Sequence, residues 1–393
     1  MNSQALKDKV AIIGMGCTKF GENWDKGLDD MIVEASFEAF DDAGVGIKDI
    51  QAGWLGTVYS GITGALLASA LKTRYIPITR IENGCATGSD ALRHACMGIV
   101  CGLYDVVLAV GVEKLKDSGW SGLPESFKHP VYAAGATAPG RWAMGATRYF
   151  YKYGLSPEEG RTLLAKISVK SHYNGSLCPK AHFQRTITLE QALNAPVIAW
   201  PLGLFDCCPT TDGAAAAVLC RADMADSFRK DYALVRAFGL ATDHGWGKES
   251  YDYDFSYLEA TEQCAIQAYE AAGITNAREE VDIAQLHDCF SIAELLEYEA
   301  LQFSPKGKAS EDIHAGSFTL EGDLPIQTDG GLKSFGHPLG ATGLRMIYEC
   351  YKQLQGKVDK PGRQVKNVEI ALAMPQYGHP GFLGPLITIL SLR

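Results

Sequence analysis

The 393-residue chain has no CxxC pair, no low-complexity tract and no apolar run longer than a β-strand. Each absence removes a class of protein. Cys207 and Cys208 are adjacent, too close for ordinary tetrahedral metal-ligand spacing, and Cys178, Cys220, Cys264 and Cys350 have no histidines set around them as a zinc site. No bound metal is expected. Met1 to Val10 carries Lys7 and Lys9 but no apolar stretch, and no later segment approaches the roughly 20 apolar residues of a membrane span. Neither a signal peptide nor a membrane anchor is expected, and the 11 cysteines read as free thiols in a reducing cytoplasm. Positive charge is also short. Against 46 Asp and Glu stand 36 Lys and Arg, and a net charge of -10 argues against a broad phosphate-binding surface for nucleic acid.

What remains fits an α/β enzyme, with 47% hydrophobic residues, 21% charged residues and 42 glycines. The length exceeds what one hydrophobic core supports, so two domains or one duplicated fold are expected. The pattern favours duplication. Val10 to Gly16 reads as a buried strand, and Asp29 to Gly44 as a helix with Met31, Ile32, Ala35, Phe37, Ala39 and Phe40 at helical spacing. Tyr257 to Gly273 repeats that helix, and apolar segments follow both copies, at Ile50 to Val58 and Val281 to Leu286. A second match links Gly84-Cys85-Ala86-Thr87-Gly88 to Gly340-Ala341-Thr342-Gly343, each opening a helix that leads to a strand, Asp105 to Gly111 and Val368 to Met374. A separation of about 230 to 260 residues is far beyond the period of a solenoid, so the copies are two similar halves.

The expected boundaries are 1–113 with 202–235 for the first half, 114–201 for an inserted loop domain over the site, and 236–393 for the second half. Within the insert, Trp120, Tyr132, Trp142, Tyr149, Phe150 and Tyr151 suit either a bulky substrate or a core. The Ala-rich run from Thr211 to Leu219 reads as a closely packed strand.

Three segments carry residues with chemistry. Cys85, in Glu82-Asn83-Gly84-Cys85-Ala86-Thr87-Gly88-Ser89, should sit at a helix N-terminus, where free amides and the helix dipole favour a thiolate. A buried structural cysteine is the alternative. His337 closes the glycine-dense Gly330-Gly331-Leu332-Lys333-Ser334-Phe335-Gly336 and precedes the helix that matches the one after Cys85, so a base can face the nucleophile. His287-Asp288-Cys289-Phe290 occupies a strand-to-helix loop, where catalytic side chains or a simple helix cap are both expected.

Together these segments resemble the thiolase superfamily, in the branch of sterol-carrier-protein-2 thiolases and bacterial and archaeal acyl-CoA acetyltransferases that carries an HDCF motif. The resemblance spans nearly the whole chain, including Asp212-Gly213-Ala214. It implies a thiolase fold: two duplicated βαβαβαββ halves in a five-layered αβαβα sandwich with an inserted loop domain. It also implies roles. Cys85 would carry the acyl group, His337 would activate its sulfur, Cys289 would act as acid or base at carbon, and His287 would polarise the thioester oxygen. Gly336 and Gly378 would lie along the coenzyme A thioester. Coenzyme A is then a cosubstrate, with no permanently bound cofactor, and the implied assembly is a homodimer, joined in some members by a small separate subunit with a zinc ribbon and an OB fold. A bulky substrate such as benzoylsuccinyl-CoA fits the aromatic insert. Retro-aldol cleavage of a β-hydroxyacyl-CoA is the competing activity, and a non-catalytic lipid carrier or scaffold the third.

One departure stands out. Where most thiolases carry a C-terminal CxG motif that supplies an acid/base cysteine and an oxyanion-hole amide, this chain reads Met374-Pro375-Gln376-Tyr377-Gly378-His379. A proline in the glycine's place has no N–H to donate. Gly378, Tyr377 or His379 is expected to replace it.

Overall fold

The computed structural model describes residues 5–119, 137–244 and 253–392. The first half runs β1 (Val10–Cys17), α1 (Leu28–Ala43), β2 (Ala52–Gly56), α2 (Ala65–Leu71), β3 (Ile78–Ile81), α3 (Thr87–Val100) and β4 (Val106–Glu113). An excursion follows, with α4 (Ala138–Tyr153), α5 (Pro157–Ser176), α6 (Leu189–Leu193) and the small ribbon β5 (Val197–Ala199) and β6 (Leu202–Gly203), before β7 (Gly213–Arg221) returns to the sheet. The second half comprises β8 (Ala233–Leu240), α7 (Glu259–Ala272), α8 (Ala277–Glu280), β9 (Ile283–Gln285), α9 (Ser291–Ala300), α10 (Ala309–Ala315), α11 (Gly331–Ser334), α12 (Leu339–Leu354), β10 (Ile370–Ala373), β11 (Gln376–His379) and β12 (Phe382–Leu392).

The strands follow the order β3-β2-β4-β7-β1-β8-β12-β10-β9, with β11 folded back on β12. The duplication is visible in that order. β2, β4, β7 and β1 of the first half correspond to β9, β10, β12 and β8 of the second, and each set mixes a parallel pair (β2 with β4, β9 with β10) with antiparallel neighbours. The two sets join edge to edge through Ala11 opposite Leu234 and Ile12 opposite Ala233. Where the first half has β3, the second has a single parallel bridge between Ala284 and Ile326.

Period-two side-chain alternation divides the first sheet between two cores. Ala11 and Ile13 of β1, Val106, Leu108 and Val110 of β4, and Ala214, Ala216 and Val218 of β7 pack outward on Met31, Ile32, Ala35 and Phe40 of α1. Their neighbours Ile12, Met15, Val107, Ala109, Ala215 and Leu219 face inward, in the core that holds α3 and α12. Because both faces are covered, these strands read as continuous apolar runs. With α7 packed on β8 and β12, the layers are helix, sheet, helix pair, sheet, helix, the arrangement expected from the sequence.

The insert is more regular than a loop. Thr137 caps α4 by accepting from Gly140 N, and Ser156 with Glu159 forms a capping box on α5. Its aromatic residues divide by role: Tyr149 and Phe150 are core, Tyr151 is exposed, and Trp142 is buried against the cavity described below. Trp120 and Tyr132 lie outside the described residues. Among the described residues no helix is long and apolar enough to cross a membrane.

Candidate active site

Cys85 lies on the tight turn between β3 and α3. Gly84 takes φ +52°, and the Thr87 hydroxyl fastens the turn by donating to Gly84 O at 2.6 Å and accepting from Asn83 N at 2.8 Å. Asn83 Nδ2 in turn donates to Asp90 Oδ2 at 3.1 Å. The helix begins two residues after the thiol. In the second half His337 lies just before the matching helix α12, preceded by Gly336 at φ +117°, where a side chain would lie 2.7 Å from Thr211 Cγ2. Only glycine fits that turn.

The two helices cross at backbone contact. A Cβ on Gly343 would lie 2.5 Å from Ser89 N, one on Gly88 would lie 2.8 Å from Gly340 O, and one on Gly111 would lie 2.2 Å from the same oxygen. Such an approach brings both helix starts to one point, and His337 Nε2 rests 3.3 Å from Cys85 Sγ. The proton placement follows from the next shell. Thr342 Oγ1 donates its single hydrogen to Pro338 O at 3.0 Å, so at 2.8 Å it accepts from His337 Nδ1–H. That assignment leaves the Nε2 lone pair facing sulfur.

Burial overrides the helix end at the thiol. Cys85 is half-buried at the floor of the cavity, yet the protein packed around it, followed by the nearby Glu113 carboxylate, pushes the thiol up to about 12. A helix N-terminus contributes about 0.3–1 kcal/mol, less than one pKa unit, so it loses. The lowered thiol pKa expected from the helix end is therefore outweighed, and Cys85 stands as a neutral thiol. His337 is depressed to about 3, by burial first and by Arg345 second, and stands as a neutral imidazole. Cys85 and His337 thus form a neutral pair.

His287, Asp288, Cys289 and Phe290 enter from the loop between β9 and α9. The His287 ring meets His337 edge-on, centroids 5.2 Å apart, and burial with the neighbouring His337 and Arg345 holds it well below the usual histidine range. Its Nδ1 is buried with no hydrogen-bond partner among the described residues. Cys289 is buried, and its thiol is pushed up by burial and by the Cys208 and Glu297 groups beside it. Asp288 points away from the cavity. Its carboxylate accepts from Leu332 N and Gln327 Nε2, each at 2.6 Å, and pairs with Lys333 Nζ at 3.0 Å. Lys333 also binds Glu294, which in turn pairs with Lys170, so two lysines and two carboxylates form a buried neutral cluster that clamps this loop to the glycine segment before His337. Glu297 fastens the other side, accepting from His287 N at 2.9 Å and from Gln376 Nε2 at 2.7 Å.

Cys85, His287, Cys289 and His337 line one cavity of about 660 Å³. Gly378 lines it too, and its carbonyl accepts from Trp142 Nε1 at 3.2 Å. Gly336 is not among the lining residues; it turns the chain behind His337. Pro375 is also set back, its carbonyl accepting from Leu386 N at 2.9 Å, and the C-terminal segment that reaches the cavity is Tyr377 to His379. The sequence reading missed Thr342 as the residue that orients His337, although it stands in the repeated motif. It also missed Cys208, whose backbone N donates to Cys289 O at 2.9 Å beside the antiparallel bridge between Cys207 and Phe290. Cys85, His287 and His337 hold donor atoms within 4.8 Å of one another, so this cluster has the spacing to take a zinc-type cation.

A second cavity, of about 460 Å³, reaches the same centre from the insert's side and shares Ala138, Cys208, Phe290 and His337 with the first. His172, His182, Phe183 and Phe205 form its aromatic wall, with Lys116 and Arg185 also lining it.

Comparison with known proteins places this geometry. Residues 10–223 match the family described as thiolase, N-terminal domain, and residues 241–383 match the thiolase C-terminal domain-like family. The acetyl-CoA acetyltransferase of Methanothermobacter thermautotrophicus is 38% identical over 372 residues, covering 92% of this chain and 94% of that protein. The benzoylsuccinyl-CoA thiolase subunit BbsB of Thauera aromatica is 33% identical over 368 residues, covering 92% of this chain and 93% of the relative. Among solved structures, one titled Ltp2-ChsH2(DUF35) aldolase superposes with a TM-score of 0.84 at 25% identity, covering 99% of both chains. Both halves of the chain thus match by sequence where they match by fold: it belongs to the thiolase family and is an acyltransferase that takes coenzyme A thioesters as substrates.

Proposed function

We propose that the chain is a coenzyme A-dependent thiolase that cleaves or forms a β-ketoacyl-CoA through an acyl group carried on Cys85. The observation that carries this reading is the 3.3 Å contact between Cys85 Sγ and an imidazole whose tautomer Thr342 fixes. In cleavage, the Cys85 proton passes to His337 Nε2 as sulfur attacks the β-carbonyl carbon. The bond between the α and β carbons then breaks, and Cys289 protonates the departing acyl-CoA enolate, whose oxygen His287 polarises. Coenzyme A next gives its thiol proton to the Cys289 thiolate and attacks the acyl carbon, while Cys85 leaves and recovers its proton from His337. Both halves of this ping-pong cycle balance without a permanently bound cofactor. Gly378 is the candidate for the oxyanion-hole amide that Pro375 lacks.

Two cavities meeting at His337 suit a reaction with two long substrates. The 460 Å³ chamber with Lys116 and Arg185 suits the coenzyme A arm, and the 660 Å³ cavity suits the acyl group. That size and the benzoylsuccinyl-CoA relative support a bulky acyl group. A homodimer in the cytoplasm belongs to the same proposal on the sequence alone. The neighbour whose title joins an aldolase to DUF35 supports a partner polypeptide. It also supports the second reading, retro-aldol cleavage of a β-hydroxyacyl-CoA, which requires no acylated cysteine. Mass spectrometry separates the two readings. After incubation with a β-ketoacyl-CoA, the Cys85 peptide should gain the acyl mass, and Cys85→Ser should abolish both the adduct and thiolysis. Turnover surviving in Cys85→Ser would favour the aldolase.

A further inference from the structure

The 660 Å³ cavity contains a cation, Arg80, with no counterion among the described residues. Arg80 lies on β3, opposite Leu55 of β2, and its side chain lines the same cavity as Cys85. Its guanidinium donates through Nη2 to Thr57 O at 2.8 Å and Val58 O at 3.2 Å, both neutral backbone carbonyls. The Nε is buried and has no hydrogen-bond partner, and among the described residues no carboxylate lies within ion-pair distance of Arg80. Glu82 lines the same wall, but it is exposed and its Oε1 accepts from Gly84 N at 2.7 Å. Other charged groups around the centre are treated differently. Lys333 and Lys170 are matched by Asp288 and Glu294, and Arg345 by Asp329. A half-buried cation left without an anion in a substrate cavity is costly, unless the substrate supplies the anion.

Arginine is suited to that task. With Nη2 on the two carbonyls, Nη1 is left to donate a charge-assisted hydrogen bond to a carboxylate, and the group stays charged throughout the accessible pH range. We infer that the acyl group of the substrate carries a carboxylate, beyond its thioester, which docks on Arg80. Resting on the thiolase reading, the inference narrows its substrate to the mono-coenzyme A thioesters of β-keto dicarboxylic acids. The walls beside Arg80, formed by Tyr59, Trp142, Tyr377 and Phe382, take the carbon skeleton between the two ends.

The test compares two esters, acetoacetyl-CoA and a β-ketoacyl-CoA that ends in a free carboxylate, with the wild type and with Arg80→Met. The wild type should prefer the carboxylated ester by about tenfold or more in kcat/KM, and Arg80→Met should lose most of that preference. The ratio between esters is the readout because damage to the Thr57–Val58 turn, or to a phosphate contact with coenzyme A, lowers both esters alike. A preference unchanged in Arg80→Met, or none in the wild type while both esters are cleaved, overturns the inference and leaves the thiolase reading standing. Failure of the wild type to cleave either ester sinks both.

Discussion

The starts of α3 and α12 occupy equivalent places in the two halves, yet they differ in almost every respect that governs proton affinity. The first presents a half-buried thiol at a cavity floor, on a helix whose Arg93, His94 and Met97 reach solvent. The second presents a buried imidazole on a helix whose only residue not fully buried is Lys352. Thr87 and Thr342 stand at matching positions and both bind locally, but Thr87 ties backbone to backbone, whereas Thr342 holds the ring that faces the other half. Duplication supplied two helix starts at one point; burial then left one with a neutral imidazole and the other with a neutral thiol, the proposed base and nucleophile. Because both members are neutral, the attack proposed above depends on transferring a proton between them, and a standing charge on either is unnecessary.

The largest break in this arrangement is removal of the base. His337→Ala leaves Cys85 as a thiol pushed up to about 12, with no group to take its proton. Acylation of Cys85 measured by stopped-flow should fall by about 10²- to 10⁴-fold, the usual contribution of a positioned base. A loss of only a few-fold would mean that the thiol is activated by some other group and that the contrast between the two helix starts is not the catalytic one.

Next in size is the crossing that holds the two starts together. In Gly343→Ala the new methyl carbon would meet Ser89 N and Oγ, each 2.5 Å away in the present backbone, so the helices must separate. Overpacking of this kind costs about 1–3 kcal/mol, and thermal denaturation should show that loss. Activity should fall beyond what the remaining folded fraction accounts for, because the gap from His337 Nε2 to Cys85 Sγ widens. An alanine variant with wild-type stability and rate would show that the crossing is loose.

The sequence carried much of this. Short apolar runs and helical spacing located α1, α3, α7, β1, β4 and β10 to within a few residues, because the strands are covered on both faces and the helices bury continuous ones. The duplicated GATG-like turns foretold which two helices would meet. What could not be read was set by contacts distant along the chain. The Asp288–Lys333 pair and the Lys170–Glu294 pair join segments that have no common pattern, and Lys333 inside a glycine-rich loop looks like a solvent-facing residue until its partners are known. Cys208 drew notice only as a neighbour of Cys207, because nothing in its own segment indicates that Cys289 lies opposite. The thiol's proton affinity was misjudged for the same reason: the helix end is local and visible, whereas the burial that outweighs it comes from both halves at once.

The smallest predicted effect tests that last point. Glu82 is exposed, and its carboxylate is the weakest of the groups that raise the Cys85 thiol, behind burial and Glu113. Glu82→Gln keeps an oxygen for Gly84 N and removes only the charge. An exposed charge acting through solvent is screened, so the apparent thiol pKa should fall by less than about one unit. Iodoacetamide alkylation of Cys85 followed between pH 6 and 10 reads that shift directly, and in both proteins the rate should still be climbing at the upper limit. A fall of several units, with a plateau inside the range, would show that surface charge rather than burial sets the thiol. The two helix starts would then differ by electrostatic tuning from outside, and the buried base at His337 would have much less work to do.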